Sequence, residues 1–162
     1  MSHIVLEYDK LKGLLKQHTL SDLGSALVDQ LQPSHQIDDI QYQQRLCSEV
    51  KNHYLTSNGF SLRGIQDITA ILENASRLGP VLHIDQLLRI ARLAEVAKKV
   101  KAQTRKLEVN DHPILTDLTQ DLPTFPELLN ETDRCLTPEG DVLDSASPTL
   151  KSIRRKQANL YE

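Results

Sequence analysis

An apolar stripe at helical spacing runs through residues 84–97 and limits the possible folds of this chain more than any other feature. Its members are the small and aliphatic side chains of Ile84, Leu87, Leu88, Ala91, Ala94 and Ala97. This spacing places them on one face of an α-helix, whereas a strand would alternate them between two faces. Lysine and arginine crowd the last turns, where the negative end of the helix macrodipole favours them. The segment is therefore predicted to be a long amphipathic helix.

The same spacing recurs through most of the chain. Aromatic residues are scarce, with four Tyr, two Phe and no Trp, so the core has to be built from aliphatic side chains that suit helices. Capping residues, glycines and prolines divide the remaining sequence into further helices. These are predicted at about 6–15, 21–31, 34–58, 68–78, 114–118 and 126–136, and from Pro148 to the chain end. We predict an all-α fold, an irregular helical domain of about seven helices whose last helix is truncated at the chain end.

Three local features are also predicted from residue type. Ser21 and Ser34 are expected to cap the helices that follow them, because a serine hydroxyl accepts from unpaired amides of the first turn. Gly64 lies in a short connector between two predicted helices. We expect it to adopt a positive φ, which glycine does at little steric cost.

The last predicted helix opens at Ser147 and Pro148, because serine caps helices and proline is favoured in their first position. Its apolar series, Leu150, Ile153 and Leu160, continues almost to the last residue, and no glycine or asparagine is expected to close it. An isolated helix of this length is marginal in water, so docking near Leu150 and Ile153 has to hold it. We expect a sequence that stops in mid-helix to be the N-terminal part of a longer protein.

Motifs for catalysis are incomplete. Residues 59–64 match the glycine spacing of a phosphate-binding loop, but Ile65 and Gln66 replace the lysine and hydroxyl residue that contact phosphate and Mg²⁺. The six histidines lack metal-site spacing, and Cys47 and Cys135 lie far apart. We therefore predict no catalytic, cofactor-binding or metal-binding residue. With no signal peptide and no apolar run of ~18 residues, the chain is predicted to be cytoplasmic and to have no membrane partner.

Charge alternates along the second half of the sequence. Residues 85–106 carry seven bases and two acids, residues 108–144 carry ten acids and one base, and bases return after residue 145. The candidate nucleic-acid contacts are the bases that share helix faces: Lys98, Lys101 and Arg105, and Lys151, Arg154 and Arg155. The alternative is a solvated face whose bases pair with the acidic stretch. We favour this alternative because no aromatic residues interleave to stack bases.

Three stretches of the sequence resemble the bacterial type-two MutS proteins, which are paralogues of the mismatch-repair ATPase MutS. The most specific stretch is residues 140–155, which read GDVLDSASPTLKSIRR. Residues 6–11 (LEYDKL) and 62–68 (LRGIQDI) support it. His83 and Ile84 stand where the family tends to have Ser-Pro, which weakens a helix cap and bears on no activity.

The resemblance implies a role that the residues alone do not indicate. Members lack the mismatch-recognition domain and begin with a helical core and lever region, here residues 1–147 as core and 148–162 as the start of a lever helix. Three further parts would follow: a clamp, an ATPase domain that binds ATP and Mg²⁺ and forms a homodimer, and an endonuclease domain. Whole proteins of this family act on branched DNA to suppress recombination and on collided ribosomes in quality control, which implies rRNA binding.

The function predicted from residues and resemblance together is a non-catalytic scaffold within such an ATPase and endonuclease. A different class, an autonomous helical adaptor that binds nucleic acid or protein by itself, stays open. A third class, an enzyme, has no residue constellation in its favour.

Overall fold

The structure, a computed structural model, describes residues 7–57, 59–79 and 81–160. Leu6, Asn58 and Pro80, which the sequence places at helix boundaries, lie outside the described residues. The described part contains eight α-helices and one 3₁₀ turn, Asp144–Ala146. The helices are α1 (Tyr8–Gln17), α2 (Asp22–Gln30), α3 (Ile37–Ser57), α4 (Thr69–Leu78), α5 (Ile84–Thr104), α6 (Pro113–Gln120), α7 (Pro126–Cys135) and α8 (Pro148–Ala158).

The prediction of an all-α fold is confirmed. Within the described residues the only β-type pairing is a single antiparallel bridge between Leu136 and Val142. None of the described helices has the length and apolar character that a membrane crossing requires. Both cysteine thiols, Cys47 and Cys135, are free.

The chain divides into two compact units. Unit one comprises residues 1–67 and 96–123, and unit two comprises residues 68–95 and 124–162. In unit two, Ala91 and Ala94 of α5 pack with Leu129 of α7, and the half-buried Leu128 lies against them. Two of these residues belong to the apolar stripe predicted from the sequence, so burial of that stripe builds the core of unit two.

Unit one buries polar groups beside its apolar ones. Val28 and Leu115 are buried there, together with Glu49, His53 and Thr119. A buried polar group is costly unless it is hydrogen-bonded, and the Thr119 hydroxyl accordingly donates to the Leu115 carbonyl. The division of the chain into a core of residues 1–147 and a lever helix from 148 stays a prediction.

Several predicted helix boundaries are confirmed by the groups that cap them. The Ser21 hydroxyl accepts from the amide of Gly24, and the Ser147 hydroxyl accepts from the amide of Leu150. Proline opens α6, α7 and α8. At the start of α5, the His83 amide donates to the side-chain oxygen of Gln86, 3.0 Å away. This is the half of a capping box that the side chain three residues after the cap supplies.

Two predicted boundaries were wrong. Ser34 does not cap α3, because its hydroxyl accepts from the amide of Gln36 before the helix begins, at Ile37. The last helix does not continue to the chain end: α8 ends at Ala158, and the Asn159 amide donates to the Arg155 carbonyl. Asn159 is the C-cap residue, where no asparagine was expected, and its φ of −67° is still right-handed.

Gly64 confirms the prediction for the connector between α3 and α4. Its φ is +77° and the connector is irregular, with Gly64 exposed. An L-residue with a side chain rarely adopts that conformation, so the connector depends on glycine at this position.

Candidate nucleic-acid interface

The first candidate patch lies at the C-terminal end of α5 in unit one. Lys98 is exposed on the helix, and Arg105 is exposed directly after it. Lys101 differs from them: it is half-buried, and its ammonium group donates to the Leu122 carbonyl at 2.7 Å. The structure therefore gives Lys101 a local role, which is to hold the segment after α6 against the end of α5.

The exposed bases of this patch do not pair with the acidic stretch that follows. In the described part of the chain, the side chains of Lys98, Arg105 and Lys106 take part in no ion pair. The pairing expected of a solvated face is thus not formed by these three residues. Their charges stay available to an anionic partner.

The second candidate patch lies on α8 in unit two. Lys151 and Arg155 are exposed, and within the described residues neither side chain has a partner. Arg154 instead turns to its own unit: its Nη1 donates to the Val142 carbonyl at 2.8 Å and to the Asp144 carboxylate at 2.7 Å. Of the six candidate contacts, Lys101 and Arg154 are therefore engaged within the chain.

Residues 136–147, which we call the joint, connect α7 to α8 and are held mainly by Arg134 of α7. Its Nε and Nη2 donate to the Glu131 carboxylate, and its Nη1 donates to the carbonyls of Ser145 and Ala146 at 2.6 and 3.2 Å. The Ser145 hydroxyl donates back to the Arg134 carbonyl at 2.6 Å. Hydrogen bonds from Arg134 lower the pKa of the Glu131 carboxyl, while the same pairing raises the pKa of Arg134.

The joint contains a tight turn, and this turn accounts for the glycine at position 140. The Thr137 amide donates to the Asp141 carbonyl at 2.8 Å, and the Gly140 amide donates to the Thr137 carbonyl. Gly140 has a φ of +97°, and a Cβ there would lie 3.3 Å from Cγ2 of Ile84. The position thus combines a left-handed backbone with a close approach to α5, and both favour glycine.

The attachment of α8 differs from the predicted one. Leu150 is half-buried as expected, but Ile153 is 56% exposed and does not dock. Residues 151–160 are all exposed. The helix is held instead by the Ser147 cap, by Leu150 and by the bonds of Arg154 to Val142 and Asp144.

Unit one contains a buried polar cluster that was not predicted from the sequence. The Glu49 carboxylate accepts from the amides of Ile114 and Leu115 at 3.2 and 2.8 Å, at the start of α6. His53, one helical turn further along α3, is 2% exposed and its ring centroid lies 6.4 Å from that of His112. Burial and, to a smaller extent, the charge of His112 lower the pKa of His53.

This cluster offers no metal site of the kind that histidine and carboxylate ligands form. No group of three or more His, Cys, Asp or Glu side chains within the described residues could hold a metal ion. The residues around the glycine-spaced loop do not fit ATP and Mg²⁺ either, since Ile65 and Gln66 lack the required groups and a helix, α3, precedes the loop.

Comparison with known proteins gives a consistent relationship. No protein-family model matches the sequence. Proteins named endonuclease MutS2 match it over most of its length: that of Staphylococcus epidermidis is 32% identical over 157 residues, and that of Halalkalibacterium halodurans is 32% identical over 155. The protein of the same name from Symbiobacterium thermophilum is 35% identical over 151 residues.

These matches cover 93–94% of this chain but only 18–20% of each relative. The chain therefore spans about a fifth of the length of the curated relatives it matches. The relationship to the type-two MutS proteins predicted from residues 6–11, 62–68 and 140–155 is confirmed at this level. Over nearly its whole length, the chain is homologous to a part of the bacterial endonuclease MutS2 proteins.

Proposed function

We propose that this chain is a non-catalytic scaffold, the N-terminal core and lever of a MutS-type protein that lacks a mismatch-recognition domain. The parent protein would form a homodimer, hydrolyse ATP with Mg²⁺ in a downstream domain, and cleave nucleic acid. Its substrates would be branched DNA, whose processing suppresses recombination, and collided ribosomes. The similarity to one fifth of proteins named as endonucleases supports this role.

The single observation that carries the scaffold role is the bonding of the joint. The polar side chains of its most specific stretch bond within unit two: Asp144 to Arg154, Ser145 to Arg134, and Ser147 to the first turn of α8. Side chains used in this way fix the direction in which α8 leaves the joint. A lever helix needs a fixed first turn, since it can pass a displacement along the chain only if its base is rigid, and the bonds of Arg134, Ser145 and Ser147 supply that base.

The free bases favour a second candidate function, an autonomous module that binds nucleic acid. Lys98 and Arg105 in unit one, and Lys151 and Arg155 in unit two, have side chains without partners in the described residues. Each phosphate that they neutralised would release counterions and add affinity. The ten acids of residues 108–144 act against this by repelling the same phosphates.

A titration with duplex DNA or RNA distinguishes the two functions. Non-specific binding through a few phosphate contacts is weak at physiological salt, with a Kd of roughly 10⁻⁴ to 10⁻⁶ M. For the scaffold we expect binding of the isolated chain at the weak end of this range, measured by fluorescence anisotropy.

The matched variants replace Lys98 and Arg105 by glutamine, with Arg45→Gln and Lys51→Gln on the exposed part of α3 as the control. Sub-micromolar affinity that is lost in the first pair and kept in the control pair would overturn the scaffold role in favour of the autonomous module.

A further inference from the structure

The contact between Arg154 and Asp144 is the attachment of α8 that lies furthest along the helix. Beyond Leu150, every described residue of α8 is exposed, and the helix buries no side chain. Arg154, in the second turn, is the only described residue after Leu150 whose side chain bonds to another part of unit two. Within the described residues, the guanidinium group of Arg154 is therefore the side-chain group that holds the far half of α8 to the rest of unit two.

Both members of the pair are open to solvent. The side chain of Arg154 is 45% exposed and that of Asp144 is 53% exposed, with 2.7 Å between Nη1 and Oδ1. An ion pair of this kind is weak, because water solvates both charges and the long side chain loses conformational freedom. It can be displaced by an anion that offers the guanidinium better geometry.

The neighbours of Arg154 would bring such an anion to it. Lys151 lies one turn earlier and Arg155 is adjacent, and both are exposed without side-chain partners in the part of the chain that the structure describes. A phosphodiester held by these two bases would lie within reach of Arg154. Arginine binds phosphate through two parallel hydrogen bonds, which a single carboxylate oxygen at 2.7 Å does not match.

We propose that Asp144 and the phosphates of a nucleic-acid backbone compete for Arg154, so that phosphate binding on α8 releases the far half of the helix from the joint. The inference rests on the nucleic-acid contact of the second candidate function, in which the free bases of α8 bind phosphate, and adds a conformational consequence to that contact. Thermodynamic linkage makes the effect reciprocal: whatever loosens the Arg154–Asp144 contact raises the affinity for phosphate by the same factor.

The test compares two variants that remove one negative charge each. Asp144→Asn weakens the contact with Arg154, whereas Asp141→Asn changes a carboxylate three residues away whose side chain has no partner in the described residues. The probe is a short labelled DNA duplex titrated at low salt, where phosphate contacts are strongest. Amide hydrogen exchange of α8 is measured on the same proteins.

We expect Asp144→Asn to bind the duplex about two- to fivefold more tightly than Asp141→Asn, the factor that corresponds to one exposed ion pair. Amides in the second and third turns of α8 should also exchange faster in Asp144→Asn than in Asp141→Asn. When both changes are repeated with Arg154→Gln present, the difference in affinity between them should vanish, as the double-mutant cycle requires.

Equal affinities of the two variants, or a difference that persists with Arg154→Gln, would overturn the competition while leaving the nucleic-acid contact in place. Failure of all the proteins to bind the duplex at low salt would overturn both the competition and the nucleic-acid contact.

Discussion

At the scale of single residues, the least expected environment is that of His53. Its ring is 2% exposed, lies 4.4 Å from the ring of Phe60 between centroids, and approaches the ring of His112 edge-on. The hydroxyl of Ser57, one turn later, lies 2.9 Å from Nδ1. An imidazole in such surroundings is favoured in its neutral form, because burial and a second histidine both oppose its charge.

This environment predicts a loss of stability in mild acid. The pKa of His53 is lowered from 6.5 in the folded state, so the unfolded chain takes up the proton first. The stabilising contribution is complete above the unfolded pKa and is lost as the pH falls from about 6.5 through the lowered folded value. We expect the free energy of unfolding in urea to fall as the pH is lowered below about 7, and to fall less steeply in His53→Asn. An unchanged slope in His53→Asn, or a slope equally reduced by changing the exposed His35, would contradict this.

Two glycines make a matched pair for a backbone test. Gly64 has a φ of +77°, whereas Gly13 lies inside α1 with open space where a Cβ would be. Gly64→Ala should destabilise the protein by about 1 kcal/mol or more, because alanine is strained at positive φ. Gly13→Ala should stabilise it by about 0.5–1 kcal/mol, because alanine loses less entropy in a helix. Urea unfolding curves that shifted in the same direction for both variants would exclude a conformational requirement at position 64.

At the scale of elements, the connections between helices depend on a few polar side chains. In unit one, the Glu49 carboxylate satisfies two amides at the start of α6, where the helix macrodipole also favours a negative charge. In unit two, Arg134 links α7 to the backbone of the joint. Each link joins an element to a segment outside it and thereby fixes the two together.

The buried cap of α6 gives a prediction at this scale. Glu49→Gln keeps the size of the side chain but turns an amide donor toward backbone donors, so we expect a loss of about 1.5–3 kcal/mol in unfolding free energy. Glu127→Gln is the control, because Glu127 is an exposed acid in the first turn of α7 and its loss should cost only about 0.3 kcal/mol. Similar losses in both variants, measured by urea denaturation, would show that the burial of Glu49 adds nothing.

Helix positions could be predicted because their signals are local. The stripe of residues 84–97, the cap at Ser21 and the prolines that open α6, α7 and α8 act within a few residues of themselves. The partners of Glu49 lie 65 and 66 residues away, and no local pattern indicates them. The candidate patches were predicted from charge alone, and charge cannot tell that Arg154 bonds to Asp144 while Arg155 stays free.

At the scale of the whole molecule, the chain corresponds to one part of its longer relatives. It matches about a fifth of the endonuclease MutS2 of Staphylococcus epidermidis over 94% of its own length. Its specific polar residues are used to build the joint, and its freely exposed bases are divided between two units. This arrangement agrees with the scaffold role proposed above.

The central claim is that the chain positions other domains and performs no chemistry itself. Its most direct test replaces the matching segment of the Staphylococcus epidermidis endonuclease MutS2 with this chain and measures DNA cleavage by the folded chimera and by the isolated chain. We predict that the chimera cleaves DNA and that the isolated chain neither cleaves DNA nor hydrolyses ATP. Cleavage by the isolated chain that a single substitution within it abolishes, or a folded chimera without cleavage, would contradict the account.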